Sequence, residues 1–81
     1  MSQYTISARH RKYLKVLGDK CREHRVFMGY SQKDVAEEIG VVPSIISLFE
    51  NGQANNAIAL SWYVKKGLKI SSVYNELEET V

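Results

Sequence analysis

The strongest constraint in this sequence is the punctuation of residues 31–52. Ser31-Gln32-Lys33-Asp34 reads as a helix start, a serine three residues ahead of an acid, both able to bond free amides of the first turn. Gly40 ends that helix barely two turns later and supplies the positive φ that a tight turn needs. Pro43 suits the first position of a second helix, because the donor it lacks would be left unpaired there anyway. Gly52, directly after Asn51, closes it. Two short helices joined by so brief a turn cross steeply and need a small residue where they nearly touch, which Ala36 supplies. Val35, Ile39, Val41, Ile46 and Phe49 are apolar where the pair must pack on the rest of the chain. Residues 32–51 therefore carry the elements of a helix-turn-helix.

The remainder of the chain supplies a support for that pair. At 81 residues only roughly 60% of the unfolded surface can be buried, which is enough for a single core. We expect one domain over residues 8–81, after a flexible start at residues 1–7. With one proline and five glycines, a helical chain is favoured over a turn-rich sandwich. Ser7 is a candidate cap for a long first helix. Its stripe of Leu14, Leu17, Cys21, His24 and Met28 spans an arc of about 80°. Arg25 lies within this stripe, and a charge on a core face demands a partner. Gly29 stops the helix. Ala57 to Val64 is apolar at seven of eight positions, as expected of a helix buried on several sides. Ser71 or Ser72 caps a last short helix carrying Val73, Tyr74 and Leu77. The fold expected is a compact five-helix, all-α bundle.

Function classes narrow quickly. The polar start lacks an apolar signal region, and no run approaches a membrane span, so a cytosolic location is expected. One cysteine, Cys21, cannot form an internal disulfide and reads as a small buried hydrophobe. His10 and His24 have no partner at metal spacing, and no paired carboxylates, nucleophile–base set or phosphate loop occurs. Neither an enzyme nor a cofactor is expected. Charge is unevenly distributed: residues 1–33 carry a net +6, residues 34–64 a net −4 with no Lys or Arg, and the last seventeen balance. A nucleic-acid partner would feel its positive field mainly from the first third. There, Arg9, Arg11, Lys12 and Lys15 either are simply solvated or flank a DNA backbone.

The second helix of the pair has two faces. Ser47, Leu48 and Asn51 lie within about 60° of Ser44, while Ile46 and Phe49 point the opposite way. Anchored through the apolar side, such a helix presents its serine-lined side to a major groove.

With Arg25 to Gly29, Ser31-Gln32, Val35-Ala36, Ile39-Gly40 and Glu50-Asn51-Gly52 in place, the chain resembles the Cro/repressor (XRE-type) helix-turn-helix family over about residues 14–77. That family includes the phage 434 and λ repressors. The stretch Lys66 to Ser71 is similar to the connection before the last helix in short members, including restriction–modification controllers. The resemblance implies that Gln32 hydrogen-bonds a backbone phosphate, with Lys33 beside it, and that Asn51 with the amides around Gly52 and Gln53 forms a second phosphate clamp. It implies base contacts from Pro43, Ser44, Ser47 and Leu48, and a structural ion pair between Arg25 and Glu50. Members usually place Gln, Arg or Asn on the reading face, where this chain has two serines, a leucine and a proline. Readout then leans on thymine methyls, water, DNA shape or groups outside the helix. Val42 also replaces the usual Ser or Thr cap.

The expected role is a transcriptional regulator, a repressor that binds double-stranded operator DNA as a homodimer. One such unit touches few base pairs, and half-sites one helical turn apart are the geometric remedy. Ile70, Val73, Tyr74 and Leu77 either only close the core or also form the two-fold interface. The rival is a protein-binding adaptor (antitoxin, antirepressor or phage-encoded inhibitor), motivated by the acidic middle third and apolar Leu48.

Overall fold

The computed structural model describes the backbone of residues 8–79 and the side chains of residues 8–75. The flexible start expected at residues 1–7, the Ser7 cap and the Leu77 side chain lie outside the described residues. Five helices follow one another: α1 (Ala8–Phe27), α2 (Gln32–Ile39), α3 (Pro43–Glu50), α4 (Ala57–Lys65) and α5 (Ile70–Glu79). No strand occurs among the described residues, and no described helix is long and apolar enough to cross a membrane.

Local signals set the α2–α3 pair. Ser31 Oγ accepts the Asp34 amide at 3.0 Å and Asp34 Oδ2 accepts the Ser31 amide at 2.8 Å, a reciprocal capping box. Gly40 takes φ 78°, and the amides of Gly40 and Val41 both return to the Ala36 carbonyl at 2.9 and 3.0 Å. Ala36 itself is 1% exposed, so the turn closes directly over it. Pro43 stands in the first turn of α3, and Val42 gives that helix no side-chain cap.

α1 packs against α3, α4 and α5, and α2 bridges α3 and α4. The core is Cys21, Val35, Ala36, Ile46, Phe49, Ala59, Trp62, Tyr63 and Leu68. Its aromatic centre is ordered: Trp62 meets Tyr63 edge-on at 5.0 Å, and Phe49 stacks on Tyr63 at 5.8 Å. Tyr30 then meets Trp62 edge-on at 5.1 Å.

Three expectations need correction. α4 is not buried on several sides: Ala59, Trp62 and Tyr63 face inward, but Ile58 and Val64 are 62% and 43% exposed. Its neighbouring helices cover only the side that carries those three residues. It also begins on a cap missed from sequence, Asn56, whose Oδ1 accepts the Ala59 amide at 2.9 Å. α5 starts at Ile70 rather than after Ser71 or Ser72; Ser72 sits inside the first turn, its hydroxyl donating to the Lys69 carbonyl at 2.7 Å. His24 is only half-buried, and its Nε2 donates to the Lys66 carbonyl at the end of α4 at 2.8 Å.

Candidate nucleic-acid interface

The site is built around one buried carboxylate. Glu50, on the inner face of α3, is 1% exposed and receives hydrogen bonds from three other helices. Arg25 of α1 donates through Nε to Oε2 at 2.7 Å and through Nη2 to Oε1 at 2.9 Å. Tyr63 of α4 donates its hydroxyl to Oε2 at 2.5 Å, and Gln32 of α2 donates Nε2 to Oε1 at 3.2 Å. Arg25 Nη1 also reaches the Tyr30 carbonyl at 2.8 Å. Among the described residues, no buried side-chain nitrogen or oxygen lacks a partner. Three helices thus converge on one side chain of α3, which fixes the rotation of that helix about its own axis.

Burial pushes the Glu50 carboxyl up, but hydrogen bonds from Arg25, Tyr63 and Gln32 together outweigh it, and the group titrates below its ordinary 4.5. Burial and the bond to Glu50 push the Tyr63 phenol up. Burial, with Glu50 nearby, pushes the Cys21 thiol up to about 12, so this wholly enclosed sulfur is a packing group and not a nucleophile. A carboxylate depressed in the folded state contributes stability above its unfolded pKa, and loses it as pH falls through the folded value. The melting temperature should therefore fall as the pH drops below about 4.5. Glu50→Gln, already less stable at neutral pH, should show a flatter acid limb in a melting series. Parallel acid limbs in the two proteins would reject the assignment.

With Ile46, Phe49 and Glu50 at 1% exposure or less, the opposite side of α3 faces solvent. Pro43, Ser44 and Asn51 are exposed, Leu48 is 40% exposed and Ser47 is half-buried. Asn51 Nδ2 lies 3.4 Å from Ser47 Oγ, a long contact that leaves the amide free to re-aim. The face holds no charge; it offers hydroxyl, amide and methyl groups only.

Groups expected at two phosphate contacts have partners within the chain. Gln32 turns its amide nitrogen inward to Glu50, because a buried carboxylate draws in every donor within reach. At that end, the Asp34 amide is taken by Ser31 Oγ, and exposed Lys33 with the amides of Gln32 and Lys33 remains available. At the other end, the Gly52 amide donates to the Phe49 carbonyl at 3.1 Å and the Gln53 amide to the Leu48 carbonyl at 2.9 Å. This Schellman closure, made possible by Gly52 at φ 74°, consumes the two amides expected in the clamp. The side chains of Asn51 and Gln53, both exposed, are what this end retains.

A residue unforeseen from sequence, Gly18, sets the height of α3 on α1. A methyl there would lie 2.3 Å from the Glu50 carbonyl oxygen and 2.8 Å from that of Phe49. Its sequence signal was a glycine in the middle of a long helical stripe, where glycine is otherwise unfavourable. Tyr63 was equally unforeseen; the signal was a phenol inside an apolar run, which needs a partner once buried.

The residues expected at a two-fold interface divide. Val73 is 4% exposed and already covered by its own chain, Ile70 is half-buried, and Tyr74 is 57% exposed. These three, with Tyr13, Leu17 and Leu60, line an apolar cavity of about 110 Å³. Compared with models of protein families, with curated proteins and with solved structures, the chain matches none.

Proposed function

We propose that this protein is a DNA-binding transcriptional regulator of the Cro/repressor type, a repressor that acts as a homodimer on operator DNA and reads it with α3. The observation that carries this reading is the division of α3. Its inner side is tied by Glu50 to three helices, and Pro43, Ser44, Leu48 and Asn51 stand outward on one exposed face. A helix so held is rigid enough to place short side chains against base edges. Ser44 and Ser47 can each donate or accept, and Leu48 offers methyl groups to thymine. Contacts of this kind discriminate weakly one by one, and two copies on adjacent half-sites supply the missing specificity.

Gel shift on the DNA upstream of its own gene tests the proposal, and failure to bind even at low salt would refute it. Given a bound site, Leu48→Ala should lower affinity about 5-fold where a thymine is touched and leave other sites unchanged, a loss of about 1 kcal/mol. Ser44→Ala should shift base preference at one position. Equal losses on every duplex would remove both residues from readout.

A second reading, a protein-binding adaptor, is favoured by one observation. Val26 and Phe27 at the end of α1 are 61% and 87% exposed, more apolar surface than a duplex needs. Co-purification of a stoichiometric protein, with no duplex bound at low salt, decides for it.

A further inference from the structure

The exposed face of α3 carries no charge, and residues 34–64 contain no Lys or Arg. The Schellman closure has also taken the two amides at the end of α3. Yet a duplex laid along α3 brings phosphates past that end, and phosphate neutralisation supplies most of non-specific affinity. The needed charge has to come from a neighbour in space.

That neighbour is α1. A methyl at Gly52 would lie 2.9 Å from Lys15 Cα, and one at Gly18 would lie 2.3 Å from the Glu50 carbonyl. The end of α3 therefore rests on α1 over residues 14–18. At about 100° per residue, Arg11, Arg22 and Lys15 lie roughly 20°, 40° and 60° to one side of the Gly18 contact line. Leu14, Cys21 and Arg25 lie on the other side, where Leu14 is half-buried and Cys21 and Arg25 are buried. Arg11 is one turn beyond Lys15, about 6 Å further along the axis.

We infer that Arg11 and Lys15 of α1 form a phosphate-binding ridge beside the end of α3, extending the duplex contact past Asn51. This rests on the DNA-binding reading above. Both residues are exposed. Lys15 pairs with Asp19 at 3.1 Å, but its side chain is 57% exposed and such surface pairs are weak, so a phosphate displaces the carboxylate. Asp19 keeps Arg22 as a partner at 2.9 Å. The sign asymmetry along the sequence thereby gains a use: the uncharged α3 face reads, and α1 holds the backbone.

The test needs no operator. A fluorescein-labelled duplex of mixed sequence is titrated with wild type, with the double variant Arg11→Gln/Lys15→Gln, and with Arg9→Gln, which removes a charge roughly 180° round α1 from Gly18. Thermal unfolding of each verifies that the fold is kept. The double variant should lower the log–log salt slope by about 1.8 and weaken binding roughly 30-fold near physiological salt, with Arg9→Gln close to wild type. An unchanged slope in the double variant, or an equal drop in Arg9→Gln, overturns the ridge and leaves the DNA-binding reading standing. A wild type that binds no duplex even at low salt overturns that reading, and the ridge with it.

Discussion

Glu50→Ala should cost on the order of 3–5 kcal/mol of folding stability, the largest effect expected of any single substitution in this chain. The change removes the acceptor for four hydrogen bonds at once. It leaves the Arg25 guanidinium, whose side chain is 10% exposed, without its counter-charge, and the enclosed Tyr63 hydroxyl without an acceptor. A domain of this size has roughly 4–12 kcal/mol in hand, so the variant is close to unfolding at ambient temperature. In a circular-dichroism melt the midpoint should fall by about 15 °C or more. The loss measures an orphaned charge and not the net value of the pair, because desolvation opposes the Coulomb gain. Replacing both partners, Arg25→Met with Glu50→Leu, should therefore recover much of the stability. An unchanged melt for Glu50→Ala would show that the network does not hold α3.

Gly18→Ala sets two effects against each other. In an isolated helix the substitution gains close to 1 kcal/mol, since alanine is the better helix former. Here the added methyl would meet backbone carbonyl oxygens at 2.3 and 2.8 Å, and backbone cannot rotate aside. Overpacking of this kind costs typically 1–3 kcal/mol and sometimes more, so the net expectation is a loss of about 2 kcal/mol. The way to relieve the clash is to lift the end of α3 from α1. Duplex affinity should then fall on all sequences alike, even at a temperature where the variant is fully folded. A gain in melting temperature would mean that the two helices do not approach so closely.

Legibility from sequence followed the range of the forces involved. The ends of α2 and α3 were readable because Ser31, Asp34, Gly40, Pro43 and Gly52 act on amides and carbonyls within five residues of themselves. The amphipathic stripe of α1 was readable for the same reason. α4 was misjudged because apolar composition says how much surface wants cover, not how many neighbours exist to cover it; Ile58 and Val64 stayed outside. The resemblance aims Gln32 at a backbone phosphate, yet 18 residues on, the buried Glu50 accepts a hydrogen bond from its amide. The Gly52 and Gln53 amides went to the carbonyls of α3 itself, and a positive-φ glycine in that position had already hinted at such a closure.

From its own residues, the chain determined that there would be five helices, where the central pair would break, and which side of α3 would be apolar. Hydrogen bonds within a turn and hydrophobic periodicity suffice for that. Only the tertiary structure decided that Gln32 and Tyr63 join Arg25 on the Glu50 carboxylate, that Gly18 lets α3 settle against α1, and that Lys15 stands beside Gly52. A buried charge selects its partners by distance in space, and the close approach of two backbones depends on both helices at once, so neither is written in any local stretch of sequence.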